Sequence, residues 1–378
     1  MLSPQNQRNR ALQRALQKHH CVIGLGFRRG LCRAPLQHRR HPDEKFLSLN
    51  RWRKPSGVLS RKRQKILLTL AFTALAVGFP AGSTRAAEPV IGILPKTIIG
   101  DVFMKNMSDA AVAKGKALGA KVEVYSVSSH EAVEEQVSAV ESLISRKVDA
   151  IILAAVDSKG LSPVVDKATA AGIPVILADS GVQGAKYVTV VQTDNIAASS
   201  LAADYAAALL SDRGKVAQLE GEPASETAQL RKKGFHEEVA KYKNIQLVSS
   251  ITGHWTTPGA VDATEAILKA NPDLNLIFAS SDLMAVGAVT VLEREGRKDI
   301  LVLGFDGIPE GVALVKQLKA VGDVAQNAKA IGEKAVEVAV QVIKDKNAAA
   351  TIPKVIDSGL TLVHPWNVDA YSKENFGK

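Results

Sequence analysis

Cysteine is almost absent from this sequence of 378 residues. Its two cysteines are Cys21 and Cys32, and none follows them. Residues 87–378 can therefore form no disulfide, supply no thiolate nucleophile and build no cysteine metal site. A lipid anchor on a cysteine after the apolar run at 66–79 is excluded for the same reason. The chemistry of this segment must depend on other side chains.

Signatures of nucleotide binding and of common catalytic sites are also lacking. The turn after the first predicted strand has no G-x-G-x-x-G, and the chain has neither G-x-x-x-x-G-K-[ST] nor G-x-S-x-G. Residues 87–378 contain four histidines without metal-type spacing: His130, His236, His254 and His364. We therefore predict that the protein is not an enzyme and uses no cofactor and no metal.

The net charge of +10 is concentrated at one end of the chain. Residues 1–86 hold 18 of the 48 Lys and Arg but only two of the 38 Asp and Glu, so residues 87–378 carry a net charge of −6. Because the basic character belongs to the front end, the whole-chain charge does not indicate a nucleic-acid partner.

Residues 61–86 have the pattern of a secretory signal peptide. The basic run R-K-R-Q-K (61–65) precedes an uncharged apolar run at 66–79, which is too short to span a membrane comfortably. Thr84 and Ala86 supply the small residues of a cleavage site, so we predict cleavage after Ala86 and a soluble protein in the periplasm. We interpret residues 1–60 as a basic extension, upstream of the true start and absent from the mature protein. A DNA-binding arm is the alternative, although no helix-turn-helix pattern is visible there.

The rest of the chain alternates short apolar runs with helical segments. The runs at 90–94, 121–125, 150–155, 174–179 and 187–191 form a first series, and those at 215–219, 245–250, 276–280 and 300–305 form a second. Helices are predicted between them, for example at 103–118, 258–268 and 284–295. Continuously apolar strands that alternate with helices indicate parallel sheets covered on both faces. We predict an α/β protein with two similar Rossmann-like lobes and a crossing near residues 193–195.

Polar residues and one tryptophan follow the ends of these strands. In open α/β sheets, ligands bind outside the carboxyl ends of the strands. A single Asp in such a place is usually a helix N-cap, but a whole series is better explained by a polar ligand. The series is Lys96, Asp157, Asp179, Asp194, Glu220, Trp255, Ser281 with Asp282, and Asp306.

Seven stretches, in order, resemble the ribose/allose-binding family, the type I periplasmic receptors of sugar ABC importers. The resemblance covers about 88–378. It implies two lobes joined by a hinge of three crossings, near 193–195, 326–327 and 352–355. The stretches are K-T-I-I-G-D-V-F (96–103), G-I-P-V-I-L-A-D (172–179), T-D-N (193–195), R-K-K-G-F (231–235), F-A-S-S-D-L-M-A-V-G-A (278–288), V-L-G-F-D-G-I-P-E (302–310) and V-A-Q-N (324–327).

The resemblance also implies a role for particular side chains. Phe103 and Trp255 match paired aromatic residues that pack on the two faces of a sugar, which suits the apolar C–H faces of a pyranose. The remaining matches bind hydroxyls: Lys96 at the tip of the first strand, the carboxylates Asp179 and Asp306, the arginine fork Arg231, and the amide Gln326 at the hinge. We add Ser281, which stands at a ligand-binding position of the family.

Three positions depart from the family pattern. Ser180 stands where ribose binders have an arginine, Ser281 where relatives have an asparagine, and Gly100-Asp101-Val102 where Asn-Pro-Phe is usual. Because polar contacts are shortened or lost, a smaller or reduced ligand such as a polyol is an alternative to ribose. Receptors for autoinducer-2 and rhamnose also share features with this chain, although they lack the G-F-D-G stretch.

The resemblance implies a monomeric receptor that closes over a sugar or polyol and delivers it to an ABC permease. The expected lobes are 87–193 with 327–353, and 194–326 with 354–378. The main rival is a regulator of the lactose-repressor type, which uses the same fold as its effector domain. That rival requires a helix-turn-helix, whereas this chain has an export signal, so we predict no nucleic-acid partner.

Overall fold

A computed structural model of the protein describes residues 88–377. The predicted basic extension (1–60) and signal peptide (61–86) lie outside these described residues. Within them, no helix is both long enough and apolar enough to cross a membrane.

Two six-stranded sheets organise the described chain. In spatial order, the first contains β11 (Val355–Asp357), β5 (Val190–Gln192), β4 (Val175–Ala178), β3 (Ala150–Leu153), β1 (Val90–Leu94) and β2 (Lys121–Val124), all parallel. The second contains β12 (Leu360–Val363), β10 (Gly322–Gln326), β9 (Leu301–Asp306), β8 (Leu276–Ala279), β6 (Gly214–Glu220) and β7 (Ile245–Thr252). Here only β12 runs antiparallel to its neighbour β10, a pairing that departs from the parallel sheets predicted from the sequence.

Helices cover both faces of each sheet. Around the first sheet lie α1 (Val102–Leu118), α2 (Val133–Ser145), α3 (Ser162–Ala170) and α9 (Ala328–Lys344). Around the second lie α4 (Asn195–Leu209), α5 (Glu226–Val239), α6 (Thr257–Ala270), α7 (Asp282–Arg294), α8 (Pro309–Lys316) and α10 (Val368–Phe376).

Strand β3 shows why the apolar runs fold in this way. All four of its residues are fully buried, and alternate side chains enter opposite cores: Ile152 packs with α1 and α9, whereas Ile151 and Leu153 pack with α2 and α3. Successive residues of a strand point to opposite faces, so a sheet covered on both sides needs continuous apolar runs. The two α/β lobes predicted from this pattern are confirmed.

The chain crosses between the two sheets in three places. It passes from β5 to α4, from β10 to α9, and from β11 to β12. The third crossing was expected at 352–355, with residues 354–378 in the second lobe. That is wrong for residues 355–357, because β11 pairs with β5 in the first sheet and Ile356 packs on the core of that lobe. The crossing lies between Asp357 and Leu360, where the Oγ atoms of Thr193 and Ser358 are 3.1 Å apart.

Candidate functional site

A cavity between the two lobes lies at the carboxyl ends of the strands. All eight residues predicted from the sequence line it. Three precede the first crossing and five follow it: Lys96, Phe103 and Asp179, then Arg231, Trp255, Ser281, Asp306 and Gln326. The structure thus brings together side chains that are up to 230 positions apart in the chain. Six further residues share the lining and were not predicted: Asp101, Met104, His130, Thr227, Leu283 and Ile308.

The backbone turns sharply where several of these side chains enter the cavity. Asp179 follows β4 with φ 64°, Trp255 follows β7 with φ 62°, and Asp306 ends β9 with φ 125°. Residues other than glycine rarely adopt positive φ, and such strain tends to persist at sites that the surrounding structure holds in place. These turns aim two carboxylates and an indole at one point.

Asp306 is the centre of a buried hydrogen-bond network. One of its carboxylate oxygens, Oδ1, accepts from Gln326 Nε2 at 2.8 Å and from Arg231 Nη1 at 3.2 Å. Arg231 also donates to Asn195 Oδ1 at 2.9 Å and to the Ser280 carbonyl at 2.6 Å. Burial raises the pKa of Asp306 to about 6, although the nearby guanidinium opposes this shift.

Lys96 forms the second buried ion pair of the cavity. Its Nζ lies 2.8 Å from Asp179 Oδ2, and both side chains are at most 4% exposed. The lysine is therefore a buried group that holds a carboxylate within the same lobe, rather than a free cation at the mouth of the cleft. Both Lys96 and Arg231 lie within 6 Å of the Trp255 ring, so this indole contacts two cations as well as the cavity.

The two aromatic residues reach the cavity from different lobes. Phe103 lies in the first turn of α1 and packs on the core of the first lobe, whereas Trp255 packs on a core of the second. Trp255 Nε1 and Gln326 Oε1 are buried without a hydrogen-bond partner in the described chain. Buried polar atoms are nearly always paired, so a donor and an acceptor remain for a polar ligand.

Ser281 has a structural role in addition to its place in the lining. Its Oγ accepts from the Met284 N–H at 3.3 Å and caps the N-terminus of α7. Ser180, which replaces the expected arginine, is buried outside the cavity lining, with its Oγ 3.4 Å from Ser225 Oγ in the other lobe.

Asp101 and His130 are the polar lining residues that sequence reasoning missed. Asp101 caps α1 by accepting from the Met104 N–H at 2.9 Å, and its Oδ2 lies 3.4 Å from His130 Nε2. Burial raises the pKa of Asp101 to about 7 and lowers that of His130 to about 4. The position of Asp101 before a helical run signals an N-cap. His130 lies in a loop whose path over the cavity has no comparable sequence signal.

The lobes touch on both flanks of the cavity. On one flank, the start of α5 meets the segment after β4: the Gly181 N–H donates to Glu226 Oε2 at 2.7 Å, and Thr227 Oγ1 donates to the Asp179 carbonyl at 3.1 Å. On the other flank, His254 Nδ1 lies 3.0 Å from Glu131 of the first lobe and 2.8 Å from Glu222 of the second.

Three described side chains on this flank lie close enough together to be considered as metal ligands: Glu131, Glu222 and His254. Their ligand atoms all lie within 4.8 Å of one another. Hydrogen bonds between the imidazole and the carboxylates already account for this arrangement, so we interpret it as an ionic bridge between the lobes.

The cavity itself is small in this closed arrangement. Its volume is about 30 Å³, enough for roughly two water molecules. A monosaccharide can enter only if the lobes separate or the lining side chains withdraw. The lining offers aromatic faces, carboxylate acceptors and cationic donors. These groups suit the binding of a neutral polyhydroxyl compound rather than a chemical reaction with it.

Comparison with known proteins gives a consistent set of relatives. Residues 91–347 match the family model described as a periplasmic binding protein domain. The ribose import binding protein of Bacillus subtilis is 32% identical over 300 residues, which cover 77% of this chain and 96% of that protein.

Solved structures with the same fold include receptors with bound ligands. A periplasmic solute binding protein of an ABC transporter from Actinobacillus succinogenes, with bound D-allose, is 34% identical, with a TM-score of 0.70 over 75% of this chain and all of that one. A solute binding protein from Bacillus halodurans, with bound myo-inositol, is 28% identical, with a TM-score of 0.69 over 77% of this chain and all of that one.

Proposed function

The chain belongs to the periplasmic binding protein family, and from this premise we propose that it captures a sugar or polyol between two closing lobes and delivers it to an ABC permease. The observation that carries the proposal is the cavity where Phe103 and Trp255 meet the network around Asp306. Relatives named as import binding proteins for ribose and D-apiose support the transport role and argue against an enzyme.

The ligand class follows from the chemistry of the lining. Buried carboxylates and a guanidinium bind hydroxyls through charge-assisted hydrogen bonds, which contribute about 1.5–3 kcal/mol each. A compound that lacks one of these hydroxyls would leave a buried group unpaired, and this discriminates among similar sugars. Structures of relatives hold D-allose and myo-inositol, so both an aldose and a cyclic polyol are candidates.

The lobe boundaries, the location and the oligomeric state are part of the same proposal. We infer lobes 87–193 with 327–357, and 194–326 with 358–378, which move about the three crossings. Periplasmic location is supported by the signal-peptide pattern at 61–86 and by two relatives whose names include the word periplasmic. Because the two lobes together complete the cavity within one chain, the protein can function as a monomer.

Two other functions use the same fold. A receptor for autoinducer-2 or rhamnose ranks second, since the cavity chemistry suits any small polyhydroxyl compound. A regulator of the lactose-repressor type ranks lower, because the relatives identified by name are import proteins and not repressors.

A thermal-shift panel on purified residues 87–378 tests the proposal. The panel holds D-ribose, D-allose, D-arabinose, D-apiose, L-rhamnose, autoinducer-2, myo-inositol and glycerol. We expect a concentration-dependent rise in melting temperature with at least one sugar or polyol, and its loss in Asp306→Ala. No shift with any member would contradict a sugar receptor, and a shift with L-rhamnose or autoinducer-2 alone would favour the second function.

A further inference from the structure

Two carboxylic acids lie buried directly beneath the turn that carries Asp306. Asp282 is the first residue of α7 and Asp323 is the second residue of β10, and both are 0% exposed. Neither lines the cavity. The ligand contacts proposed above therefore leave both acids without a role.

Each acid uses one oxygen to hold the backbone of this turn. Asp323 Oδ1 accepts from the Gly307 N–H at 3.2 Å, and Asp282 Oδ2 accepts from the Ile308 N–H at 2.9 Å. The other oxygens, Asp282 Oδ1 and Asp323 Oδ2, are buried and have no donor in the described chain. Two buried acceptors without a donor call for a proton on one of them.

Both side chains lie next to the same residue of β9. They meet beside Gly304 of β9, where an added Cβ would lie 2.6 Å from Asp282 Oδ1 and 3.7 Å from Asp323 Cγ. A negative charge on Asp323 also raises the pKa of Asp282, because like charges repel. A hydrogen bond between the two carboxyl groups requires a proton on one of them, because an ionised carboxylate has no hydrogen to donate.

We propose that Asp282 and Asp323 share one proton and act as a positioning pair that holds the turn 306–308 in its ligand-binding conformation. The inference rests on the proposed function, since it assigns the pair to the support of Asp306. The pair would act through the backbone N–H groups of Gly307 and Ile308 and would not touch the ligand.

The turn needs such support because its backbone is unusual. Asp306 has φ 125° and Gly307 has φ 76°. Gly307 cannot be replaced by a larger residue, since a Cβ there would meet Ala325 Cβ at 2.4 Å. A strained turn keeps its geometry only while its surroundings hold it. The orientation of the Asp306 carboxylate toward Gln326 and Arg231 depends on that geometry.

The charged groups around the pair explain why one proton is retained. Asp306 faces both acids and opposes their ionisation, Arg231 favours it, and the Tyr371 hydroxyl and Glu374 lie on the α10 side. Burial raises the pKa of Asp323 to about 7 and raises that of Asp282 above its usual range. Loss of the shared proton would place two like charges under Asp306 and weaken the turn.

Asp323→Asn tests the pair with nearly the same shape. The amide supplies an N–H in place of the shared proton, and its oxygen can still accept from Gly307. With the panel member that binds most tightly, we expect affinity within about twofold of wild type at pH 6. We expect wild-type affinity to fall by about fivefold or more between pH 6 and pH 8.5, and the variant to keep a fall of only about twofold. The control is Asp262→Asn on the exposed face of α6, which should keep the wild-type profile.

Urea unfolding provides a readout that needs no ligand. Because the pKa of Asp323 is raised in the folded protein, its contribution to stability is present near pH 4 and is lost as the pH rises to about 7. We expect the wild type to lose stability over this interval more steeply than Asp323→Asn. Equal slopes would overturn the shared proton.

The two readouts separate the ways in which the inference can fail. A changed unfolding slope with an unchanged affinity profile would overturn the positioning role. If no panel member binds wild type, the proposed function and the positioning role fall together, while the slope still reports on the shared proton.

Discussion

The four charged side chains that form ion pairs in the cavity have almost no contact with water. Lys96 with Asp179 and Arg231 with Asp306 are ion pairs whose side chains are 11% exposed or less. Removing charges from water is costly unless hydrogen bonds and opposite charges replace the solvent. The same enclosure makes each remaining donor or acceptor selective for a ligand hydroxyl.

Lys96→Met is expected to affect both binding and stability. Loss of the ammonium leaves Asp179 buried without its cation, at a cost of about 3–5 kcal/mol. Calorimetric titration should show affinity lowered by about tenfold or more, and thermal unfolding a lower melting temperature.

The double variant Lys96→Met, Asp179→Asn is the matched control. Removing both charges should recover much of the lost stability but not the affinity. A single Lys96→Met variant with wild-type affinity would remove Lys96 from the ligand site.

At the level of elements, the start of α5 and the segment after β4 close one flank of the cavity. Gly181 allows this approach: an added Cβ would lie 2.0 Å from Glu226 Oε2. The backbone of Gly181 does not need positive φ, so alanine fits its backbone conformation. The three atoms nearest to the added Cβ all belong to Glu226 of the opposite lobe, so the constraint arises in the closed arrangement.

Gly181→Ala is expected to weaken ligand binding by interfering with closure. Because the added methyl meets the flexible end of a side chain of the opposite lobe, which must move aside, affinity should fall by about threefold, while urea unfolding of the unliganded protein changes little. The truncation Glu226→Ala removes the obstructing carboxylate. In combination with Gly181→Ala it should restore part of the affinity, and no restoration would show that the clash is not the cause.

Some strands of the fold could be predicted from the sequence and others could not. Strands such as β1, β3 and β9 could be predicted because a strand that helices cover on both faces needs a continuous apolar run. Strands β10, β11 and β12 were not, since G-D-V-A-Q, V-I-D and L-T-L-V contain no more than two consecutive apolar residues.

The residues of the candidate site also divide into those that the sequence predicts and those that it does not. Asp179, Trp255 and Asp306 could be predicted because they follow strands, and the ends of strands mark the ligand side of a sheet. His130 could not, because a loop residue reaches the cavity only through tertiary contacts. The proposed role of Asp323 could not be predicted either, because its contact with the turn after β9 exists only when β9 and β10 are paired.

For the whole molecule, the ionic bridge from Glu131 through His254 to Glu222 links the lobes on the second flank. The two carboxylates raise the pKa of His254 above its usual value, so the protonated imidazole favours the closed arrangement. The side chains of Glu131 and His254 are 60% and 45% exposed. Solvent and salt therefore reduce the contribution to about 0.2–1 kcal/mol.

Ligand affinity is expected to fall by about twofold as the pH rises from 5.5 to 8 through the titration of His254. The effect should be measured in the Asp323→Asn variant, so that the buried acid pair does not contribute, and with a chelator present. Glu131→Gln should reduce the fall but not remove it, because the cavity acids Asp101 and Asp306 titrate in the same interval in both proteins. Salt at about 0.5 M should reduce the contribution of the bridge. An equal fall in Glu131→Gln would show that the bridge does not stabilise closure.

Calorimetric titration of residues 87–378 with the best ligand of the panel tests the central claim most directly. The account predicts saturable binding of one sugar or polyol per chain, weakened by about tenfold or more in both Trp255→Ala and Asp306→Ala, one residue for the aromatic face and one for the hydroxyls. Equal affinity in wild type and both variants would place the ligand outside this cavity and contradict the account.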